Sequence, residues 1–366
     1  RIARVEHGAE LRAVMGGGTT IISAGSSVRC LQHELEGYGI DLERELEETQ
    51  RELGIREIPE RFLGTRSCLL MKAAASLGLD MAPMPKCIDY DRCDICGTCM
   101  AGCDRHAKWT SLDYILRARK AGATVWYATE ALRIVEGDEA NGVAYRRSDG
   151  SEGTVWARSV VVAAGGLETP VILQRSGIEA GAHLSVDPLT HMYGFVPGER
   201  FERELPMPLL LDRSDDGYII SPNINKSAVK SYVATQGRSD LSTANVIGLM
   251  LKIADSREGR VYEDGTVSKR ITEADEELFE KARRTARALL EEAGADPNTI
   301  FETSVNGAHP MGTAAIGEVV DSFLETRIEG VYVCDASVLP VTPGLPPIVT
   351  IVALGKWLGS LLCETP

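Results

Sequence analysis

The chain has 366 residues, enough for two domains or one large interleaved one, and its apolar fraction of 44% and charged fraction of 25% are ordinary for a globular protein. A net charge of −14 offers no basic face to a phosphate backbone, so nucleic acid is excluded as a partner, and no apolar run is long enough for a transmembrane segment. The nine cysteines do not suit a secreted disulfide scaffold: five crowd between Cys87 and Cys103, which points to metal ligation in a reducing, cytoplasmic setting.

The first residue is Arg1 rather than Met, so no leader can be read from this start, and a fragment or a processed product stays open. Residues 15–29 read MGGGTTIISAGSSVR, a glycine-rich turn followed by small residues. Residues 41–62 are charged, with Leu42, Leu46 and Leu53 as the apolar marks of a helix. Thr110 and Asp113 spell a capping box for a helix through Ile115, Leu116 and Ala118 that stops near Gly122. Residues 124–135 read as a strand, and 141–157 as a hairpin that turns at Asp149-Gly150. The run SVVVAAGG, 159–166, suits a buried parallel strand whose C-terminal end meets a ligand. Across 180–270, short apolar stretches alternate with Pro, Gly and Asp turns, as in a mostly antiparallel sheet. Residues 272–294 are the clearest helix: Thr272 and Asp275 form a capping box, Leu278, Phe279, Ala282, Ala286, Leu289, Leu290 and Ala293 make one stripe, and Gly294 ends it. GVYVCDAS gives a short buried strand, Val331 to Cys334, and PPIVTIVAL sets two prolines ahead of a final helix.

Cys93, Cys96, Cys99 and Cys103 follow C-x2-C-x2-C-x3-C, the spacing of a bacterial ferredoxin loop. In two-cluster ferredoxins the fourth cysteine serves the other cluster. A single [4Fe–4S] cube would therefore take three of these and a fourth ligand from further off, Cys87 being nearest, or all four in a looser geometry. Asp104 stands where the ferredoxin loop usually has Pro. Zinc on C-x2-C pairs, or a set of reduced, packed cysteines, stays open beside the cluster.

The C-terminal pieces act together. Free N–H groups at the start of the last helix favour an electron-rich ligand, and His309 stands on a glycine-bounded turn as a proton acceptor, although a lone His before Pro is more often structural. In order and spacing, H309-P-M-G-T, V319-V-D, G330-V-Y-V-C-D-A-S-V-L-P and P346-P-I-V-T-I resemble the C-terminal region of the glucose–methanol–choline (GMC) oxidoreductases. G16-G-G-T-T…S23-A-G…R29 looks like that family's glycine-rich flavin loop, and S159-V-V-V-A-A-G-G…T169-P…L173…S176-G-I like its strand–turn–helix. The cysteine run, followed by His106-Ala107-Lys108, is similar to a run followed by G-A-K in some GMC-like dehydrogenases and long-chain alcohol oxidases.

The resemblance implies an α/β chain: an incomplete, Rossmann-like FAD domain from about 1–35, 105–180 and 305–366, interleaved with a mostly antiparallel α+β substrate domain, 181–304. Residues 36–104 are then an insertion carrying the cysteines. It implies oxidation of a CH–OH group by hydride transfer to flavin N5, with His309 as the base. Gly16, Gly17, Gly18, Thr19 and Thr20 would approach the pyrophosphate and ribityl groups, and Ala163, Ala164 and Gly165 would sit by the dinucleotide. Leu132 would give a backbone contact to adenine, Asp335 with Ala336 would meet the ribityl chain, and Pro347, Ile348 and Thr350 would face the flavin. Plain turns, strand packing and, for Asp335, a helix cap are the structural alternatives.

Two departures from the family pattern stand out. Pro346 occupies a place where Asn often stands, so the partner of His309 must come from elsewhere, with Asn306 and His191 as candidates, or be absent. The G-x-G-x-x-G turn with its following acidic residue is not in this chain, which suggests a truncated enzyme or one half of a split one with a partner chain supplying that segment. Two functions compete. The first is a dehydrogenase for an alcohol, sugar or polyol, its electrons leaving through a cluster to an acceptor protein or quinone. The second is a non-catalytic iron–sulfur electron-transfer or scaffold subunit.

Overall fold

The computed structural model describes residues 2–5, 8–11, 14–238 and 240–364. Arg1, Glu6, His7, Arg12 and Ala13 of segment 1–35, Ser239 of 181–304, and Thr365 and Pro366 of 305–366 lie outside the described residues.

A six-stranded antiparallel sheet forms one half of the molecule, in the order Phe301–Glu302, Leu189–Phe195, Val246–Ile253, Tyr218–Pro222, Leu209–Arg213, Met81–Pro83. Its centre is VIGLMLKI, buried at every position because both faces are covered. Period-two alternation sorts its residues. Ile247, Leu249, Leu251 and Ile253 pack under the helices Thr65–Ser76 and Glu273–Glu292. Met250 faces the other way, into a second core with Met311, Leu345 and Val349, and Lys252 shares that face by parity.

The helix Glu273–Glu292 forms as its sequence specifies. Thr272 Oγ1 accepts from Asp275 N at 3.2 Å while Asp275 Oδ2 accepts from Thr272 N at 2.9 Å, and Phe279, Ala282, Ala286, Leu289 and Leu290 are wholly buried along one stripe. The sheet expected within 180–270 is present, but its two edges come from outside that range, at Met81–Pro83 and Phe301–Glu302. A helix, Lys226–Gln236, also interrupts it, with Asn225 capping Ser227 N and Ala228 N.

In the other half, Val160–Val162 pairs in parallel with Val331–Val333, register Val160↔Val331. Beside it runs the meander Thr129–Val135, Asn141–Arg147, Glu152–Ala157, with its second turn at Asp149-Gly150 as expected. The first meander strand begins only at Thr129, because Ala128 takes a left-handed turn at φ 52. The charged stretch 41–62 is α-helical over Glu43–Glu52, where Leu46 is buried, and ends in a short 3-10 turn at Glu60–Phe62. The helix expected from Thr110 runs Leu112–Lys120, and its N-cap is Ser111 with no side-chain cap, since the Ser111 hydroxyl is drawn to Gly17 O and Thr20 Oγ1. The final helix spans Ile348–Glu364. No helix among the described residues is long and apolar enough to cross a membrane.

Candidate active site

His309 lies on the turn after the edge strand Phe301–Glu302, at the seam between the two halves. Its ring is about 30% exposed on one side and tied down on the other, where Nδ1 stands 3.0 Å from Asp187 Oδ2. Asp187 is wholly buried, and Lys252, 1% exposed, donates from Nζ to the same oxygen at 2.8 Å. Lys252 Nζ is also 3.4 Å from His309 Nδ1. Asp187 Oδ1 accepts from Gly344 N at 3.2 Å, so the loop ahead of the last helix closes the cluster. The backbones are joined as well: Val186 O accepts from both Ala308 N and His309 N at 2.9 Å.

Burial favours the neutral imidazole, and the Lys252 charge adds to this, so His309 is held below the ordinary histidine range against the opposing pull of Asp187. Burial alone would raise the Asp187 carboxyl, but the Lys252 ammonium and the bond to His309 outweigh it and leave it below the usual range. The cluster at neutral pH is therefore a carboxylate, an ammonium and a neutral ring.

Behind it, Asp255 accepts from Val186 N and Asp187 N and pairs with Lys269 Nζ at 2.7 Å. Burial pushes the Asp255 carboxyl up to about 6 despite that lysine.

The two polar candidates for a partner of His309 point elsewhere. Asn306 donates its amide to Ser304 O at 3.0 Å. His191 Nε2 meets Asn223 Nδ2 at 3.0 Å, and burial pushes it down to about 4.

The glycine-rich turn is held by hydrogen bonds. Thr20 Oγ1 reaches Gly17 O at 3.0 Å and Ser111 Oγ at 2.8 Å, while Thr19 is exposed and Gly16 lies under Tyr127 and Ile115. Gly17 and Gly18 are left-handed at φ 83 and 60; a Cβ on Gly17 would strike Ser111 Oγ at 2.7 Å, whereas the space over Gly18 is open. Lys108 Nζ donates to Thr20 O, Ile21 O and Ser23 O at 3.0, 2.7 and 2.8 Å.

At the end of the parallel strand, Ala163 and Ala164 are exposed, and Gly165, at φ 86, faces open space. Asp335 ties this end to its neighbour: Oδ2 accepts from Gly165 N at 2.8 Å and Thr169 Oγ1 at 2.5 Å, and Oδ1 accepts from Ser337 N at 2.7 Å beside half-buried Ala336. The capping role weighed for Asp335 is thus present. Pro347 is buried and Ile348, half-buried, opens the last helix; Thr350 turns inward and donates to Cys30 O at 2.7 Å. Leu132 is the bulged residue between Ala131 and Arg133, outside the ladder register with the next strand.

Cys93, Cys96, Cys99 and Cys103 line one small pocket with Ile88 and Lys108. Cys103 Sγ accepts from Ala107 N at 3.3 Å, and Cys96 Sγ meets Thr98 Oγ1 at 3.0 Å. Cys87, in contrast, donates to Gly25 O at 3.4 Å. Among the described residues, no group of three or more His, Cys, Asp or Glu is gathered to hold a metal ion.

The GMC oxidoreductase family profiles match residues 11–193 and 240–355. The chain belongs to the GMC oxidoreductase family. An uncharacterized protein of Methanocaldococcus jannaschii is 30% identical over 350 residues, covering 95% of this chain and 86% of its own length. An uncharacterized GMC-type oxidoreductase of Mycobacterium tuberculosis is 28% identical over 398 residues, 92% of this chain and 62% of that protein. A long-chain-alcohol oxidase of Arabidopsis thaliana is 24% identical over 442 residues, 95% of this chain and 58% of that one. The crystal structure of pyridoxine 4-oxidase from Mesorbium loti superposes with a TM-score of 0.75 at 17% identity, covering 100% of this chain and 88% of that one, a likeness of fold. The mixed α/β architecture and the GMC resemblance read from the motifs are both borne out.

Sequence reasoning missed Asp187 and Lys252, and it quoted Lys108 only as part of a motif, without its hold on the glycine-rich turn. Lys252 left a signal, a lone cation in an otherwise apolar strand, VIGLMLKI, where a buried lysine demands a buried partner. Asp187, 122 residues from His309, left none.

Proposed function

We propose that this GMC oxidoreductase oxidises the CH–OH group of a small alcohol, sugar or polyol, with His309 as the base that accepts the hydroxyl proton. The observation that carries the proposal is the His309 ring, open on one side and bound through Nδ1 to a buried carboxylate on the other. A neutral ring with one nitrogen committed leaves the other to take a proton, and the hydroxyl proton must leave as the carbon gives up hydride. Bound FAD supplies the hydride acceptor, N5 of its ring.

The residues present fit that group. Open space stands over Gly18 and Gly165, and the bulge at Leu132 leaves a peptide group outside the ladder. Gly16, Gly17, Gly18, Thr19 and Thr20 would hold the pyrophosphate and ribityl side, Leu132 the adenine, and Ala163, Ala164 and Gly165 the dinucleotide. Asp335 and Ala336 would keep the two strand ends together beneath it, with Pro347, Ile348 and Thr350 at the helix start. Among the described residues the parallel sheet has two strands, with Val161 43% exposed, so a G-x-G-x-x-G segment of this polypeptide or of a partner chain has an edge to join.

The test is His309→Ala in flavin-loaded protein, followed by flavin bleaching against alcohols, sugars and polyols. Reduction should stop, and unchanged kinetics would remove His309 from the reaction.

A [4Fe–4S] cluster on Cys93, Cys96, Cys99 and Cys103 is the finer proposal. It is supported by the spacing and by the shared pocket; burial raises the Cys99 thiol to about 11, and the charges of Lys86 and Lys108 oppose that rise only in part. The loop must contract to bring the sulfurs to ligand distance. Electrons would then pass singly to a carrier protein or quinone. Iron and labile sulfide, assayed in anaerobically purified protein, decide this, and their absence ends it. Protein that holds iron but no flavin under FAD would instead favour the electron-transfer subunit.

A further inference from the structure

We propose that Asp187, charge-balanced by Lys252, is the positioning residue that holds His309 as the Nδ1–H tautomer, so that Nε2 faces the substrate hydroxyl as the proton acceptor. This deepens the reading of His309 as the base and rests on it. An ionised carboxylate only accepts, so with Asp187 Oδ2 at 3.0 Å the hydrogen belongs on Nδ1. Lys252, 3.4 Å from that nitrogen, then has no lone pair to meet there and donates its hydrogen bond to Asp187 Oδ2 at 2.8 Å.

Each member needs the others. A wholly buried carboxylate without a cation is costly, and Lys252 arrives from the central strand to balance it. Asp187 takes a left-handed conformation, φ 46, uncommon outside glycine, and two contacts hold it there. Asp255 accepts its N–H and Gly344 donates to its Oδ1. The Gly344 contact comes from the loop that carries Pro346. That proline cannot orient an imidazole by hydrogen bonding, and the Asp187–Lys252 pair does so from the opposite element.

The charged and titratable groups facing the cluster are Asp187 and Lys252 at the ring, Asp255 with Lys269 behind the Asp187 backbone, and the buried Cys30 thiol. Arg257, paired with Glu318, stands by the Gly312 turn that follows His309.

The decisive experiment is nitrogen NMR of the intact protein labelled at histidine, with His309→Ala assigning the signal. At neutral pH the His309 ring should carry its proton on Nδ1. A proton on Nε2, or a ring protonated on both nitrogens, overturns the proposal without need of any variant at Asp187 or Lys252. Two variants add a kinetic readout in flavin-loaded protein. Asp187→Asn should slow flavin reduction by about 100-fold or more, as loss of the tautomer does elsewhere. Lys252→Met should move the acid limb of the pH profile upward by about one pH unit or more, because a cation facing the ring is gone. Folded variants with wild-type rates and an unmoved limb refute the positioning role. If His309→Ala itself reduces flavin normally, the base assignment fails, while the NMR tautomer still judges the Asp187 contact.

Discussion

Replacing Lys108 by Met removes one ammonium and the tie that closes the glycine-rich turn. All three of its protons are used, on Thr20 O, Ile21 O and Ser23 O. Methionine keeps most of the apolar stem, which lies against Gly25 and Ile88, so the substitution tests the charge rather than the packing. At about 0.5–1.5 kcal/mol net for each bond, the three sum to roughly 1.5–4.5 kcal/mol. Part of this is offset, since Lys108 is 4% exposed and burial holds its pKa below the ordinary lysine range. A loss of about 2–3 kcal/mol in local order is expected, which is roughly a 30- to 150-fold rise in the opening equilibrium of the turn. Hydrogen exchange over residues 15–25, with the helix Glu273–Glu292 as the internal standard, measures it directly. Flavin affinity should fall in parallel. Unchanged exchange in a folded variant would mean that the Thr20–Ser111 contact alone holds the turn, and the ammonium would lose its assigned part.

Asp335→Ala should lower stability by roughly 2–4 kcal/mol, about one for the cap lost at Ser337 N and the rest for the stranded Gly165 N–H and Thr169 hydroxyl, read as the urea midpoint. A midpoint within error of wild type would show that those donors find water instead. Asp255 holds its proton more tightly folded than unfolded, so its contribution is full below about pH 4 and is lost as pH rises through about 6; Asp255→Asn should flatten that part of the stability curve. A parallel slope in the variant refutes it. Flavin reduction should be flat near neutral pH and fall only below about 6.5, because His309 is held under its ordinary value and must be neutral to accept a proton. An acid limb centred above pH 7 would contradict the burial and cation described here.

Much of this molecule is written in short range. The Thr272–Asp275 box, the stripe from Phe279 to Leu290, the hairpin at Asp149-Gly150 and the run Val160–Val162 formed as their spacing dictates, since each depends on neighbours within a few residues. The GMC motifs around His309 and Asp335 were legible for the same reason. Tertiary structure alone decided the rest. Ser111 took the cap position in place of Thr110 yet caps nothing with its side chain, because Gly17 and Thr20 claim its hydroxyl from 91 or more residues away, and the sheet drew its edges from 81–83 and 301–302. Above all, the partner of His309 proved to be Asp187, braced by Lys252 and Asp255. A charge pair deep in a fold has no local periodicity, and its members meet only when the chain closes around them.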